Sequence, residues 1–191
     1  MGIIVAFVGP PHSGKSVFIA EIFKYLQKTN KISFFLQRAA PDGEGMWSAE
    51  SDQEIVKRIR RKGKFSEEFV NFVIESIKNL ADQFKLVLVD CGGRITKQNY
   101  MIISSCTHFV VVSSDRSATA DWLNFCIDFC KVKCLAVFDS TLDETKTSYF
   151  DPEKRIGRLV KLERDVKLIP EHTIRVIHEF TEFLISEAKK F

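Results

Sequence analysis

The feature that most constrains the fold of this chain is the octapeptide Gly9–Ser16, GPPHSGKS, which follows the apolar run Ile3–Val8. It fits the pattern G-x-x-x-x-G-K-[ST] at every fixed position, and a stretch with helical spacing, Lys15–Lys28, comes directly after it. Glycines allow backbone N–H groups to curve around phosphate oxygens, and the positive end of the following helix points at them. The pattern therefore predicts a strand, a phosphate-binding loop and a helix at the start of the chain.

The fixed residues of this loop have distinct chemical roles towards a nucleoside triphosphate. Lys15 brings a positive charge to the terminal phosphates, and the Ser16 hydroxyl is a ligand for a magnesium ion that the phosphates share. We therefore predict Lys15 as a catalytic residue and Ser16 as a metal ligand. The predicted nucleotide-binding residues of the loop are Gly9, Pro10, Pro11, His12, Ser13, Gly14, Lys15 and Ser16.

Short apolar runs alternate with helical patterns along the rest of the chain. The runs are rich in Val, Ile and Phe and are not interrupted by polar residues at every second position, as in strands buried on both faces. The predicted strands are Ile3–Val8, Ile32–Leu36, Leu86–Val89, Phe109–Val112 and Cys134–Phe138. The predicted helices are Lys15–Lys28, Asp52–Arg61, Ser66–Phe84, Lys97–Cys106, Ala118–Lys131 and Pro170–Lys190.

This alternation predicts the α/β fold class, with a three-layer, open, mostly parallel sheet and helices on both faces. The length of 191 residues predicts a single nucleotide-binding domain over residues 1–191, with a helical insertion at about 39–84. In the last helix of that insertion, Phe69, Phe72 and Val73 are predicted core residues. The segment Asp139–Glu163 gives no interpretable pattern.

The third apolar run ends in Asp90, which Cys91, Gly92, Gly93 and Arg94 follow. A carboxylate at the end of a neighbouring buried strand holds magnesium in nucleotide hydrolases of this type. We predict Asp90 as a catalytic residue and metal ligand. We also predict Gly93 as a nucleotide-binding residue, because an amide without a Cβ beside it can approach the γ-phosphate closely. The alternatives are a helix-capping carboxylate for Asp90 and an exposed loop charge, rather than a phosphate ligand, for Arg94.

A loop that contains two carboxylates, Asp42 and Glu44, follows the second predicted strand. Open α/β sheets bind their ligands at the carboxyl ends of the strands, so this loop is predicted to face the nucleotide. We predict both carboxylates as catalytic residues that bind the metal, orient a water or act as a general base. Arg38 would balance their charge or contact the γ-phosphate. A plain turn of the Asp-Gly type is the alternative for this loop.

Charge and cysteine content narrow the class of protein further. The net charge is +3, from 28 basic and 25 acidic residues, which says little about partners. The basic run Lys57–Lys64 is suited to phosphates of RNA or of an anionic ligand, or is an exposed helix end. The five cysteines include no CxxC pair, which favours free thiols in a reducing cytoplasm. No apolar run approaches the roughly 20 residues of a membrane span, so we predict a cytoplasmic protein without membrane contact.

ATP with Mg²⁺ is the predicted ligand. Guanine-specific proteins of this class carry an Asn-Lys-x-Asp-like segment after a late strand, whereas this chain has Val137-Phe138-Asp139-Ser140-Thr141 there. The order of the motifs resembles the branch of P-loop NTPases that includes dethiobiotin synthetases and partition ATPases. Many proteins of that branch have a second lysine early in the loop, and this sequence lacks it.

A closer resemblance extends over most of the chain. It is carried by GPPHSGKS, RAAPDGEGMWSAES, KGKFSEEFV, LVLVDCGGRITKQN, CTHFVVVSSD and LVKLERD. These strings resemble the AAA-type ATP-binding domain found fused to the CRISPR-associated ring-nuclease domain of type III systems. The resemblance implies ATP binding, a role around cyclic oligoadenylate signalling, and the placement of Asp42 and Glu44 near the γ-phosphate. Because no nuclease domain of about a hundred residues accompanies the chain, we expect any ring-nuclease activity to come from a partner chain.

Three functions are compatible with these motifs. The first is an ATPase or ATP-dependent switch whose conformation a partner reads. The second is a phosphotransferase that uses the 39–84 insertion as an acceptor site for a small molecule or nucleotide. The third is a module that binds RNA or cyclic oligoadenylate through Lys57–Lys64 with little turnover. A homodimer would allow a second chain to complete the site, with Arg38, Arg94 and Arg116 as candidates.

Overall fold

The computed structural model of the protein describes residues 1–40, 65–163 and 168–191. Strands and helices alternate along these ranges. In chain order they are β1 (Ile3–Val8), α1 (Lys15–Thr29), β2 (Phe34–Arg38), α2 (Glu67–Gln83), β3 (Leu86–Asp90), α3 (Lys97–Ile103), β4 (His108–Ser113), α4 (Arg116–Asn124), β5 (Lys133–Thr141), β6 (Tyr149–Asp151), β7 (Ile156–Val160) and α5 (Glu171–Ala188). A π-helical turn, Phe125–Phe129, continues α4.

The strands form one sheet in the order β2-β3-β1-β4-β5-β7-β6. All neighbouring strands are parallel except β6, which pairs with β7 in antiparallel orientation. The predicted fold class, an open and mostly parallel sheet with helices on both faces, is confirmed. Because β3, β1 and β4 are neighbours that run in the same direction, their carboxyl ends lie together at one edge of the sheet.

Apolar side chains of the central strands fill both faces of the sheet. On one face, Phe18 of α1 and Phe180 of α5 pack against Phe138 of β5. The Phe138 ring centroid lies 5.0 Å from that of Phe18 and 4.9 Å from that of Phe180. On the other face, α2, α3 and α4 cover a second cluster that includes Val73 and Trp122. The central strands are therefore buried on both sides, as their uninterrupted apolar runs indicate.

The sequence pattern predicts the ends of α2 correctly but predicts the wrong burial for one of its side chains. The Ser66 hydroxyl accepts a hydrogen bond from the backbone N–H of Phe69 at 3.2 Å, which caps the helix where the sequence predicts its start. Val73 is fully buried and Phe69 is partly buried, but Phe72 is 66% exposed. The prediction of Phe72 as a core residue is wrong, because its position turns outward from the face of α2 that packs on the sheet.

The strands at the β6 end of the sheet were not predicted from the sequence. The strand predicted at Cys134–Phe138 continues to Thr141, and the uninterpreted segment after it contains β6 and β7. A turn joins these two strands, in which the Asp151 carboxylate accepts hydrogen bonds from the backbone N–H groups of Glu153 and Lys154. An Asp-Pro turn between two short apolar runs is a hairpin signal that the sequence did contain.

The observed bounds of β2 and α4 also differ from the predicted ones. The second strand, predicted at Ile32–Leu36, lies at Phe34–Arg38, next to β3 at the edge of the sheet that the described strands form. The helix predicted at Ala118–Lys131 begins earlier, where the Asp115 carboxylate caps it, and its last turn is π-helical. The left-handed conformation of Lys131, with φ of 59°, ends it.

Candidate nucleotide-binding site

The phosphate loop is held open by residues in unusual backbone conformations. Gly9 has φ of 137°, His12 has 60° and Gly14 has 82°. Such angles are accessible to glycine and strained for other residues, although His tolerates the left-handed region better than most. The loop therefore curves between β1 and α1 because glycines stand where a side chain would strain the backbone.

Close packing at both ends of the loop also requires glycine. A Cβ on Gly9 would lie 2.0 Å from the carbonyl oxygen of Val112, and one on Gly14 would lie 2.8 Å from Cβ of Leu162. Residues from β4 and from the segment after β7 thus support the two ends of the loop. Neither Val112 nor Leu162 was predicted to belong to this site, since nothing in the local pattern marks them as its neighbours.

Lys15 lies inside the curve of the loop and is only 7% exposed. Its Nζ donates hydrogen bonds to the carbonyl oxygens of Gly9 at 2.9 Å and Pro10 at 2.7 Å, and to the Ser13 hydroxyl at 3.3 Å. A buried ammonium group needs such acceptors. These contacts keep the positive charge of Lys15 within the loop.

Ser16 and Asp90 meet at the carboxyl edge of the sheet. Strand β3 pairs directly with β1, with Phe7 opposite Asp90, so the predicted acidic residue ends beside the loop. The Ser16 hydroxyl donates to Oδ2 of Asp90 across 3.4 Å. One hydroxyl and one carboxylate at this distance provide two oxygens of the kind that magnesium binds, and phosphates and waters commonly supply the others.

Arg38 is a cation close to this carboxylate. It ends β2 in register with Asp90 of β3, and the backbone N–H of Ala39 donates to the Asp90 carbonyl oxygen at 2.9 Å. Partial burial lowers the pKa of the Arg38 guanidinium, and the charge of Asp90 opposes that shift. The predicted role of Arg38, which is to balance the charge of Asp42 and Glu44 or to contact the γ-phosphate, involves carboxylates that lie outside the described residues.

The loop after β3 packs against the phosphate loop. A Cβ on Gly93 would lie 2.7 Å from the backbone nitrogen of Pro11. Asn99 of α3, which the sequence did not single out, anchors this loop: its Nδ2 donates to the carbonyl oxygens of Gly92 at 3.0 Å and Arg94 at 2.6 Å. Gly93 thus lies against the phosphate loop, while Arg94 itself is exposed.

Several predicted residues fall outside the ranges that the structure describes. These are the two carboxylates Asp42 and Glu44 and the basic run Lys57–Lys64. Arg116, the remaining arginine proposed for a shared site, is exposed at the start of α4. It lines an open cavity of about 280 Å³ together with Ser113, Thr119, Asp139 and Arg158.

The cysteines and helices of the described residues offer no competing site. All five thiols are free, and burial raises the pKa of the Cys91 thiol well above its usual value, which keeps it protonated. Within residues 1–40, 65–163 and 168–191, no group of three or more His, Cys, Asp and Glu side chains is arranged to hold a metal. None of the helices in these ranges combines the length and apolar character that crossing a membrane requires.

Comparison with known proteins identifies the class of this fold. No protein-family model and no curated protein matches the sequence. Among solved structures, cobyrinic acid a,c-diamide synthase from Mycobacterium smegmatis with a bound ATP analog and magnesium is similar, with a TM-score of 0.69 and 12% identity, over 99% of this chain and 96% of that one.

Two further solved structures are also similar to this chain. The septum site-determining protein MinD from Pyrococcus horikoshii OT3, complexed with Mg-ADP, has a TM-score of 0.63 at 11% identity and covers 96% of each chain. The structure of pNOB8 ParA bound to nonspecific DNA has a TM-score of 0.63 at 11% identity, over 100% of this chain and 99% of that one. The chain therefore has the P-loop NTPase fold of the ParA and MinD type.

Proposed function

We propose that this protein binds ATP with magnesium and hydrolyses the ATP, and that the bound nucleotide sets a conformation that a partner reads. The observation that carries the proposal is the meeting of Lys15, Ser16 and Asp90 at one edge of the sheet, with Ser16 and Asp90 in contact at 3.4 Å. These three residue types supply a positive charge for the phosphates, a hydroxyl oxygen for the metal and a carboxylate oxygen for the metal. Their assembly by two neighbouring parallel strands supports the roles proposed for them.

The residues present fit a magnesium-bound triphosphate. The glycines of the phosphate loop leave a cradle that a Cβ would disturb, and buried Lys15 already lies among oxygen acceptors that a phosphate can replace. Magnesium, when bound, neutralises charge on the phosphate oxygens. Ser16 and Asp90 would hold it, Lys15 would bind phosphate, and the remaining loop residues would donate backbone N–H groups to the phosphates. Structural relatives described as complexes with an ATP analog or Mg-ADP support this ligand.

Adenine is the proposed base because the end of β5 reads Val137-Phe138-Asp139-Ser140-Thr141 and lacks the Asn-Lys-x-Asp-like segment of guanine-specific proteins. The one carboxylate in its last residues, Asp139, accepts a hydrogen bond from Nε of Arg158 at 2.9 Å. An aspartate that reads guanine has to face the base with its oxygens available to ring N–H groups. The ion pair with Arg158 directs Asp139 to the neighbouring strand instead.

The first test is phosphate release from ATP and GTP with magnesium, by the wild type and by Lys15→Ala. Removing the charged contact is expected to lower ATP affinity or turnover by at least about tenfold. A matched control is Lys24→Ala on the same helix, whose exposed side chain pairs only with Glu21 and whose loss is expected to change neither quantity. Lys15→Ala with wild-type binding and turnover would contradict the site assignment.

A narrower role rests on the sequence resemblance to the ATP-binding domain of type III CRISPR ring-nuclease fusions. On that basis the partner that reads the nucleotide state is a ring-nuclease chain, and Lys57–Lys64 contacts RNA or cyclic oligoadenylate. Affinity for cyclic tetra- and hexa-adenylate, measured with and without ATP across a salt series, tests this role. Absence of any salt-dependent affinity for either RNA or cyclic oligoadenylate would exclude it.

A small-molecule phosphotransferase is the second candidate, and the cavity at the β4 and β5 edge favours it. Ser113 directly follows Val112, which supports the phosphate loop, so the cavity of about 280 Å³ adjoins the site. Its wall carries two arginines, Arg116 and Arg158, and two aspartates, Asp115 and Asp139, which suit a polar acceptor with hydrogen-bonding groups. ADP formation that requires an added acceptor would favour this candidate, whereas acceptor-independent phosphate release favours the ATPase.

A further inference from the structure

Asn99 holds the loop after β3 on both sides of Gly93. Its amide nitrogen donates to the carbonyl oxygen of Gly92 at 3.0 Å and to that of Arg94 at 2.6 Å. Its backbone N–H in turn donates to the Thr96 hydroxyl at 3.2 Å, which caps α3. The conformation of the loop is therefore fixed to the first turn of α3 through one residue.

This arrangement leaves one polar atom unsatisfied. Asn99 is 1% exposed. Among the described residues, its Oδ1 is the only buried side-chain oxygen or nitrogen atom that has no hydrogen-bond partner. Exchanging the two amide atoms does not help, because the carbonyl oxygens of Gly92 and Arg94 both need a donor. A buried acceptor without a donor raises the free energy of the state that contains it. A shift of the loop that brings a backbone N–H to Oδ1 would remove this cost.

The loop that Asn99 holds contacts the phosphate loop directly. Gly93 packs so closely on Pro11 that a Cβ would lie 2.7 Å from its nitrogen and 3.0 Å from its Cα. The terminal phosphate of a bound nucleotide would therefore have to fit between the phosphate loop and the loop after β3. Asn99 anchors the second of these loops. A change in the position of Gly93 is transmitted to α3 through the two hydrogen bonds of the amide.

We propose that Asn99 is a positioning residue that places Gly93 for the terminal phosphate and couples occupancy of that phosphate to α3. The inference rests on the proposed ATP-binding function and names the residue by which the site distinguishes ATP from ADP. Ligands shift an equilibrium only through different interactions with its two states. The terminal phosphate supplies that difference here, since ADP does not extend to the Gly93 side of the site.

The test compares the affinities of a non-hydrolysable ATP analogue and of ADP for the wild type and Asn99→Ala, measured by calorimetry with magnesium. We expect ATP-analogue affinity to fall by about tenfold or more, on the scale of two lost hydrogen bonds, while ADP affinity stays within about twofold. The control is Lys97→Ala, two positions earlier on α3, where the side chain is 75% exposed and forms only a surface ion pair with Glu67. Equal losses for both nucleotides, or no loss for either, would overturn the inference.

A second measurement needs no variant and so does not depend on the folding of Asn99→Ala. Amide hydrogen exchange of the wild type, with the ATP analogue and with ADP, is expected to show greater protection of Gly92–Arg94 and α3 with the analogue. Identical exchange in the two complexes would overturn the coupling even though nucleotide binds. A wild type that binds neither nucleotide would instead refute the proposed function itself, and the inference with it.

Discussion

Adding one methyl group at Gly93 tests how closely the two loops of the site must approach. In Gly93→Ala the new Cβ would lie 2.7 Å from the Pro11 nitrogen, so the loops have to separate by about 0.7 Å to reach the 3.4 Å of an ordinary contact. The atoms it meets belong to the backbone and the ring of Pro11 and cannot rotate away as a flexible side chain does. A misplacement of about 1 Å in a catalytic site can lower turnover by about 100-fold. We therefore expect Gly93→Ala to lose about 10- to 100-fold in ATP turnover.

The neighbouring glycine provides the matched control. In Gly92→Ala the nearest atom to the new Cβ would be the Asn99 amide nitrogen at 3.3 Å. This distance is only about 0.1 Å short of an ordinary contact, so the two hydrogen bonds of the amide can stay in place. The same methyl group, one residue away, is expected to lower turnover only a few-fold. Phosphate release with saturating ATP and magnesium measures both variants, and thermal unfolding confirms that both are folded.

Two results would refute this reasoning. Wild-type turnover in Gly93→Ala would mean that the contact with Pro11 does not position anything that the reaction needs. Equal losses in the two variants would mean that the loop tolerates no side chain anywhere, so the close approach at Pro11 would not be the cause.

The remaining predictions concern stability. Phe180→Ala is expected to lower the free energy of unfolding by about 3–5 kcal/mol in urea denaturation, because the ring is fully buried against Phe18, Phe138 and Phe150. Phe72→Ala, which trims a side chain that is 66% exposed, is expected to change it by less than about 0.5 kcal/mol, and a larger loss would contradict the orientation of α2. Burial, with the Lys133 charge, lowers the pKa of His108, so the unfolded chain binds this proton first as the pH falls below about 6.5. Stability is therefore expected to fall between about pH 7 and pH 5, and to fall less in His108→Gln; parallel pH profiles for the two proteins would argue against this cause.

The sequence by itself determined the parts of the site that lie close together along the chain. The spacing from Gly9 to Ser16 between an apolar run and a helical pattern specifies the loop, since glycine conformations and the start of a helix are local properties. Asp90 could be predicted in the same way, because a carboxylate at the end of an uninterrupted apolar run is a local pattern. The fold class followed from the alternation of these patterns.

Only the tertiary structure decided which distant residues meet. The pairing of β3 with β1 brings Asp90 to Ser16, and the packing of Val112 and Leu162 against Gly9 and Gly14 closes the loop at both ends. No period or propensity marks such contacts, because each joins segments separated by dozens of residues whose own local structure is ordinary. For the same reason, the sequence pattern did not distinguish Asn99 from the other residues of its predicted helix. Its importance comes from the two carbonyl groups that the fold places within reach of its amide.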